Sequence, residues 1–248
     1  MNVIYILWLR QLKRYSRSRA RVVSSLAQPL LYLVAMGYGL GPVFQKAGMG
    51  SYLNFVAPGL VAMTILFTSV FSGIDLIMDR QFGFLKETLV APVPRVWIIL
   101  GRILGGATVS IIQGLLFLGV CLIAGFRWHD FHLLPLAILF MVMTAIVFAA
   151  LGSVLGCVLS DAQAFPLMMS FLIMPLFFLS GAMYPLANLP GFLTFLTHVD
   201  PLSYGVDGLR YALSGTGHFG PLIDLGVLGG CSALLVGLGA YFFSKIQV

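Results

Sequence analysis

Two ionisable residues stand inside otherwise apolar stretches, Asp75 and Arg102. Charge inside a hydrocarbon-facing segment is costly, so such residues usually mark a partner, a cavity or a transported species. Both fall near the same end of neighbouring apolar runs. An ion pair between two helices is one reading, and snorkelling of each to the lipid heads is the other. Other chemistry is sparse. No G-x-x-x-x-G-K-[ST] phosphate loop occurs, so the chain is not expected to hydrolyse ATP by itself. His129 and His132 have the spacing of half a metal site, but no third ligand is near, and a solvated loop accounts for them better. Ser153 has no histidine in any apolar run to act as its base, which disfavours an intramembrane protease. Cys121, Cys157 and Cys231 lie in apolar runs without C-x-x-C spacing and read as packing residues. No catalytic, metal-binding or cofactor-binding residue is assigned to this chain. The chain of buried carboxylates expected of a proton-coupled carrier is also missing.

The elements that must position Asp75 and Arg102 are transmembrane helices. Of 248 residues, 60% are hydrophobic and 9% charged, against about 25% charged in a soluble domain. Mean hydropathy is +1.02. A helix needs roughly 20 apolar residues to cross a bilayer. Six runs meet that need: Val22–Leu40, Phe55–Met78, Val96–Ala124, Leu133–Leu159, Ala164–Met183 and Pro221–Phe243. Pro29 and Gly37, Gly39 and Gly41 interrupt the first. It lacks a small-residue cleavage site and is expected to stay as a span, not to act as a signal peptide.

Six spans put both termini on one side, and charge selects that side. Eleven of the fourteen basic residues precede the first span, lie around the loop 79–97 or follow the last span; the exceptions are Lys46, Arg127 and Arg210. The positive-inside rule then places both termini and this loop in the cytoplasm. The net charge of +6 is accounted for by anionic lipid heads, with no nucleic-acid partner.

Residues 1–21 form an amphipathic pattern. At about 100° per residue, Ile4, Trp8, Leu12 and Tyr15 share one face, and Arg10, Arg14, Arg17 and Arg21 oppose it, with Arg19 misplaced. An interfacial helix fits this pattern; a plain basic flank is the alternative. The loop 79–97 carries Phe82, Phe84, Leu85 and Leu89 among charges, on a short helix expected to end before Pro92. It reads as a docking knob for a partner, or as a helix on the lipid heads. Segment 184–219 is apolar (Leu186, Leu189, Phe192, Leu193, Phe195, Leu196) yet broken by Pro185, Pro190 and Pro201. Asp200-Pro201 is a helix start, N-cap then N1 proline. Two short helices, about 188–198 and 201–214, are expected to dip into the outer leaflet. Four small-x-x-x-small pairs, Gly37/Gly41, Gly101/Gly105, Gly152/Gly156 and Gly226/Gly230, favour close helix approach. Thr64, Thr68, Ser69, Gln113 and Ser170 either line a path or bond within the bundle.

Three stretches carry a family resemblance: 80–95 (RQFGFLKETLVAPVPR), 179–190 (LSGAMYPLANLP) and 200–210 (DPLSYGVDGLR). In order and spacing the chain resembles the membrane subunit of ABC-2 type transporters. Within that family the drug and nodulation-factor exporters are more similar than the polysaccharide exporters. The resemblance implies an all-α integral membrane fold of six transmembrane helices in one domain, 1–248. Residues 1–21 would be the interfacial helix, 22–183 spans one to five, 184–219 two short re-entrant outer helices and 220–248 the last span and tail. Stretch 81–91 would be the cytoplasmic coupling helix, with Phe82, Phe84, Leu85, Lys86, Glu87 and Leu89 meeting an ATPase. Pro185, Pro190, Asp200, Pro201 and Arg210 would belong to the outer gate. The implied partners are two copies of an ABC ATPase, a second copy of this chain and the bilayer. ATP and Mg2+ would act only through the ATPase. The implied location is the bacterial inner membrane.

The expected function is therefore the permease of an ATP-driven exporter for an amphiphilic, drug-like or glycolipid substrate. A channel or secondary carrier acting without an ATPase is the alternative, and a membrane enzyme or assembly factor is a third class.

Overall fold

The computed structural model describes residues 3–46, 51–90, 93–186 and 190–246. Pro92 and Leu189, on which two sequence expectations fall, lie outside the described residues, as do the side chains of Lys86, Glu87, Leu89, Arg19 and Arg21. Among the described residues every regular element is helical. Five helical stretches are long and apolar enough to cross a membrane: Val22–Lys46, Tyr52–Gln81, Arg95–Ile123, Phe131–Val158 and Pro221–Ser244.

Helix α1 (Val3–Arg17) is followed by α2 (Arg19–Lys46), which runs through Pro29 and Pro42. The second crossing is bent, α3 (Tyr52–Phe71) then α4 (Ile74–Gln81). The bend has a local cause. Ser72 Oγ donates to Ser69 O at 2.6 Å, and Gly73 has no side chain to hold the next turn in line. A Cβ at Gly73 would lie 1.9 Å from the carbonyl oxygen of Gly152, so the two backbones touch there. Short α5 (Phe84–Val90) leads into α6 (Arg95–Ile123), then α7 (Leu134–Val158).

The run Ala164–Met183 departs from expectation. It folds as α8 (Ala164–Met168), a wide π turn (Met169–Ile173) and α9 (Met174–Leu179). Pro175 supplies no N–H to the turn before it, which favours the wider turn. The helix stops at Ser180 and Gly181, whose φ is +71°. The apolar helix Ala164–Leu179 is about 24 Å long at 1.5 Å per residue, short of the roughly 30 Å hydrocarbon thickness.

Then come α10 (Gly191–Val199), α11 (Pro201–Ser214) and α12 (Pro221–Ser244). The expected start of α11 holds: Asp200 accepts from Leu202 N at 2.9 Å, Pro201 follows, and Gly215 ends the helix at φ +72°. Its environment is more enclosed than the apolar, proline-broken sequence implied. Leu202 through Arg210 are all buried, because α11 wedges between α3, α7 and α12. Glycines make the wedge possible: a Cβ at Gly205 would meet Thr144 at 2.6 Å, and one at Gly208 would meet the Phe140 ring at 2.2 Å.

Helix α3 is the buried axis of the bundle, while α2 and α12 are mostly exposed along their apolar lengths. Val23, Leu31, Val34 and Tyr38 of α2 are open, a surface suited to lipid or another apolar partner and not to water.

Candidate functional site

The sequence pattern of α1 puts its apolar face inward, but the face meets protein. Ile4, Leu7, Trp8 and Gln11 sit over Gly101 and Gly105 of α6, with Leu7 Cβ 3.0 Å from a Cβ placed at Gly101. Trp8 Nε1 donates to Thr108 Oγ1 at 2.9 Å. The glycine pair therefore seats α1 along α6, whereas an interfacial helix was expected to turn this face to lipid. The outward face keeps Arg10 and Arg14.

Those arginines close an ionic junction of three helices. Arg102 of α6 donates from Nη2 to Asp79 Oδ2 of α4 at 2.5 Å. Arg10 of α1 reaches Asp79 Oδ1 at 3.2 Å. Arg14 lies 3.4 Å from Asp75 Oδ1 and 4.0 Å from Asp79 Oδ1. Asp75, Asp79 and Arg102 are buried, whereas the side chains of Arg10 and Arg14 are 43% and 44% exposed. The expected pair of Asp75 with Arg102 is thus corrected: Asp79, one turn beyond Asp75, takes the buried guanidinium, and Asp75 faces Arg14. A signal for this was present. Arg10/Arg14 and Asp75/Asp79 are both i, i+4 pairs, so two two-charge faces can meet in register.

Two residues beyond Asp79 the chain leaves the bundle. Phe82 ends α4, Gly83 turns at φ +80°, and α5 begins. Phe82 and Phe84 are 66% and 50% exposed, while Leu85 is fully buried. The expected apolar knob is therefore divided: Phe82 and Phe84 face outward, and Leu85 faces inward and anchors the loop. Gln81 Nε2 donates to Ser160 O at 3.4 Å, and Arg95 Nη1 donates to Ser244 O at 2.6 Å and Ile246 O at 3.1 Å. Both ends of the loop are thereby fastened, to the α7–α8 connection and to the end of α12.

At the far end of the bundle α11 carries a second polar cluster. Arg210 Nη2 donates to Gly181 O at 2.9 Å, and its guanidinium carbon stands 4.2 Å above the Phe55 ring. Burial lowers the Arg210 pKa to about 10, with Asp207 opposing the shift. Asp207 accepts from His218 N at 2.7 Å and Phe219 N at 2.8 Å, tying the 215–220 loop to α11. Burial pushes the Asp200 carboxyl up to about 7, against the hydrogen bonds from Leu202 and Ser203. Pro185 lies in the non-helical stretch after α9, and Pro190 immediately precedes α10. Of the residues expected at an outer gate, Asp200, Pro201 and Arg210 are thus joined through α11. Asp79 and Asp207 are the polar residues that sequence reasoning passed over.

Of the candidate path residues, Thr64 and Ser69 are satisfied within the bundle, by Leu60 O at 2.9 Å and Ser110 Oγ at 2.7 Å. Ser170 donates to Pro166 O at 3.2 Å. Thr68 and Gln113 instead line a cavity. Among the described residues no group of three or more His, Cys, Asp or Glu is placed to hold a metal ion.

Residues 2–214 match the family described as ABC-2 type transporter. The chain is 28% identical over 225 residues to the inner membrane transport permease YadH of Escherichia coli strain K12, covering 90% of this chain and 87% of that one. It is 28% identical over 211 residues to nodulation protein J of Rhizobium meliloti strain 1021, covering 84% and 78%. It is 28% identical over 218 residues to the putative transport permease ycf38 of Cyanophora paradoxa, covering 85% and 74%.

Proposed function

Since this chain belongs to the ABC-2 type transporter family of transport permeases, we propose that it is the membrane-spanning subunit of an ATP-driven exporter for an amphiphile. Two copies of this chain pair, and two copies of a separate ATPase dock at the basic end. ATP and Mg2+ act there and not on this chain. Both termini and the 79–97 loop face the cytoplasm of a bacterial inner membrane, where the positive-inside bias puts them. Helix 164–179 makes the fifth of six crossings with help from a locally thinned bilayer, and α10 and α11 re-enter from the outer side.

The observation that carries this reading is the junction at Asp79. One carboxylate binds α1, α4 and α6 together three residues before the chain exposes Phe82, with Phe84 following. A push on the loop helix would reach three helices through α4 and this carboxylate. The 310 Å³ cavity beside the junction lies within that lever.

The test is co-purification of tagged chain with an ABC ATPase from its own membranes, followed by ATPase assay of the complex in nanodiscs with candidate amphiphiles. Retained ATPase and substrate-stimulated turnover are expected. Transport that persists with no nucleotide-hydrolysing subunit present would overturn the reading.

A further inference from the structure

A cavity of about 310 Å³ lies between α1, α2, the α3–α4 bend and α6. Its wall is graded. Ser24, Gln28 and Phe71 are exposed at the mouth, whereas Tyr15, Asp75 and Gln113 are buried at its depth. Two of the deep polar atoms have no hydrogen-bond partner, the Tyr15 hydroxyl and Gln113 Oε1. The other end of the Gln113 amide is occupied, since its Nε2 donates to Ser25 Oγ and to Val22 O. That orientation leaves the amide's acceptor as its unused end.

An unpaired buried polar group is unfavourable and asks for an occupant. The deep wall is rich in acceptors: Gln113 Oε1, the Asp75 carboxylate and the Tyr15 oxygen. Arg14 meets Asp75 but is not part of the cavity wall. Phe67 and Phe71 supply an apolar side toward the mouth. The volume is at the small end of ligand sites, enough for a head group but not for a long chain.

We infer that this cavity receives the polar head of an amphiphile whose head group donates hydrogen bonds, an ammonium or a polyol, while its hydrocarbon chain passes Phe71 into the bilayer. Gln113 and Asp75 accept from the head, and the Tyr15 hydroxyl orients it. Asp75, already met by Arg14, turns carboxylate oxygens to the wall, which favours a head that donates over one that only accepts. The inference rests on the transport reading only in naming the occupant as cargo; binding itself requires no ATPase.

The test uses the full chain in nanodiscs, with Cys121, Cys157 and Cys231 replaced by Ala and Gln28→Cys placed at the mouth. The rate of maleimide labelling at that thiol is measured with octylamine, octyl glucoside or octyl sulfate, each below its micellar concentration. Octylamine or octyl glucoside slows labelling, and which of them does so tells ammonium from polyol. Octyl sulfate leaves the rate unchanged. Tyr15→Phe, which removes an oxygen with no protein partner, raises the half-protecting concentration roughly fivefold, as loss of one hydrogen bond would. Equal effects of all three amphiphiles, no protection by any, or an unchanged concentration in Tyr15→Phe each overturns the inference. Protection without transport by the ATPase complex would leave the site standing and remove the transport reading instead.

Discussion

Arg102 and Asp79 face each other 2.5 Å apart across α6 and α4, both buried, with Arg10 of α1 on the second carboxylate oxygen. Arg102 Nε has no partner, so this one carboxylate carries most of the guanidinium's compensation. Removing one partner of a buried ion pair leaves a charge stranded, typically at a cost of about 3–5 kcal/mol. Asp79→Asn is therefore expected to lower the thermal midpoint in detergent sharply. Asp75→Asn should cost less, because the Arg14 guanidinium that meets it is 44% exposed and is left in water, not stranded in the bundle. Equal midpoints for the two variants would contradict the assignment. The double variant Asp79→Leu with Arg102→Leu should recover much of the loss seen in Asp79→Leu alone.

The loop helix separates docking from folding. Charged replacements at Phe82 and Phe84, which are exposed, are expected to abolish retention of the ATPase while leaving membrane insertion and the thermal midpoint near wild type. Leu85→Asp buries a charge where the native side chain is fully enclosed; it should reduce the yield of folded protein instead. Pull-down and fluorescence-detected size exclusion distinguish the two outcomes. ATPase retention by Phe82→Asp/Phe84→Asp would remove the docking role.

Asp200 gives the far end a pH dependence. Its folded-state pKa is raised from 3.8 to about 7, chiefly by burial. The folded state therefore binds the proton more tightly than the unfolded chain. This contribution to stability is largest below the unfolded value and is lost as pH rises through about 7. The thermal midpoint should fall between pH 5 and pH 8 more in wild type than in Asp200→Asn, which keeps the cap acceptor for Leu202 N but cannot titrate. Parallel curves for the two proteins would refute the role of this carboxyl.

Much of this arrangement was legible in the sequence. Five long crossings and the Asp200-Pro201 helix start follow from apolar run length and capping chemistry, which are local signals. The choice of Asp79 over Asp75 was not read, because either carboxylate is within one helical turn of the right height and only the packed position of α6 selects between them. Leu85 was misplaced for a similar reason. A seven-residue helix has too few turns for its pattern to define an inner face without knowing what lies behind it. The run 164–183 looked continuous because hydropathy does not register a π turn or a helix that stops at Gly181. The seat of α1 was hidden in Gly101 and Gly105, whose spacing shows that something approaches closely but not which helix does.

The glycines sort into two groups with opposite expected effects. At Gly152 a Cβ would stand 2.4 Å from Val70 O, and at Gly156 it would stand 2.5 Å from Gly73 O. Both obstacles are backbone, which cannot rotate away, so α7 must shift off the α3–α4 bend. Helix interiors pack too densely to absorb that shift, and overpacking typically costs about 1–3 kcal/mol. Gly226 and Gly230 of α12 meet nothing within 4 Å. Alanine there adds no clash and removes the helix penalty of glycine, about 1 kcal/mol in water-exposed helices. Gly152→Ala is therefore expected to lower the thermal midpoint and Gly226→Ala to leave it unchanged or raise it. The Gly152 effect should carry over to function, since Gly73 and Gly152 hold the bend within about two turns of Asp75 and Asp79. ATPase stimulation by cargo should weaken in Gly152→Ala at temperatures where the protein is still folded. Full stimulation in a folded Gly152→Ala complex would show that the bend does not transmit the motion.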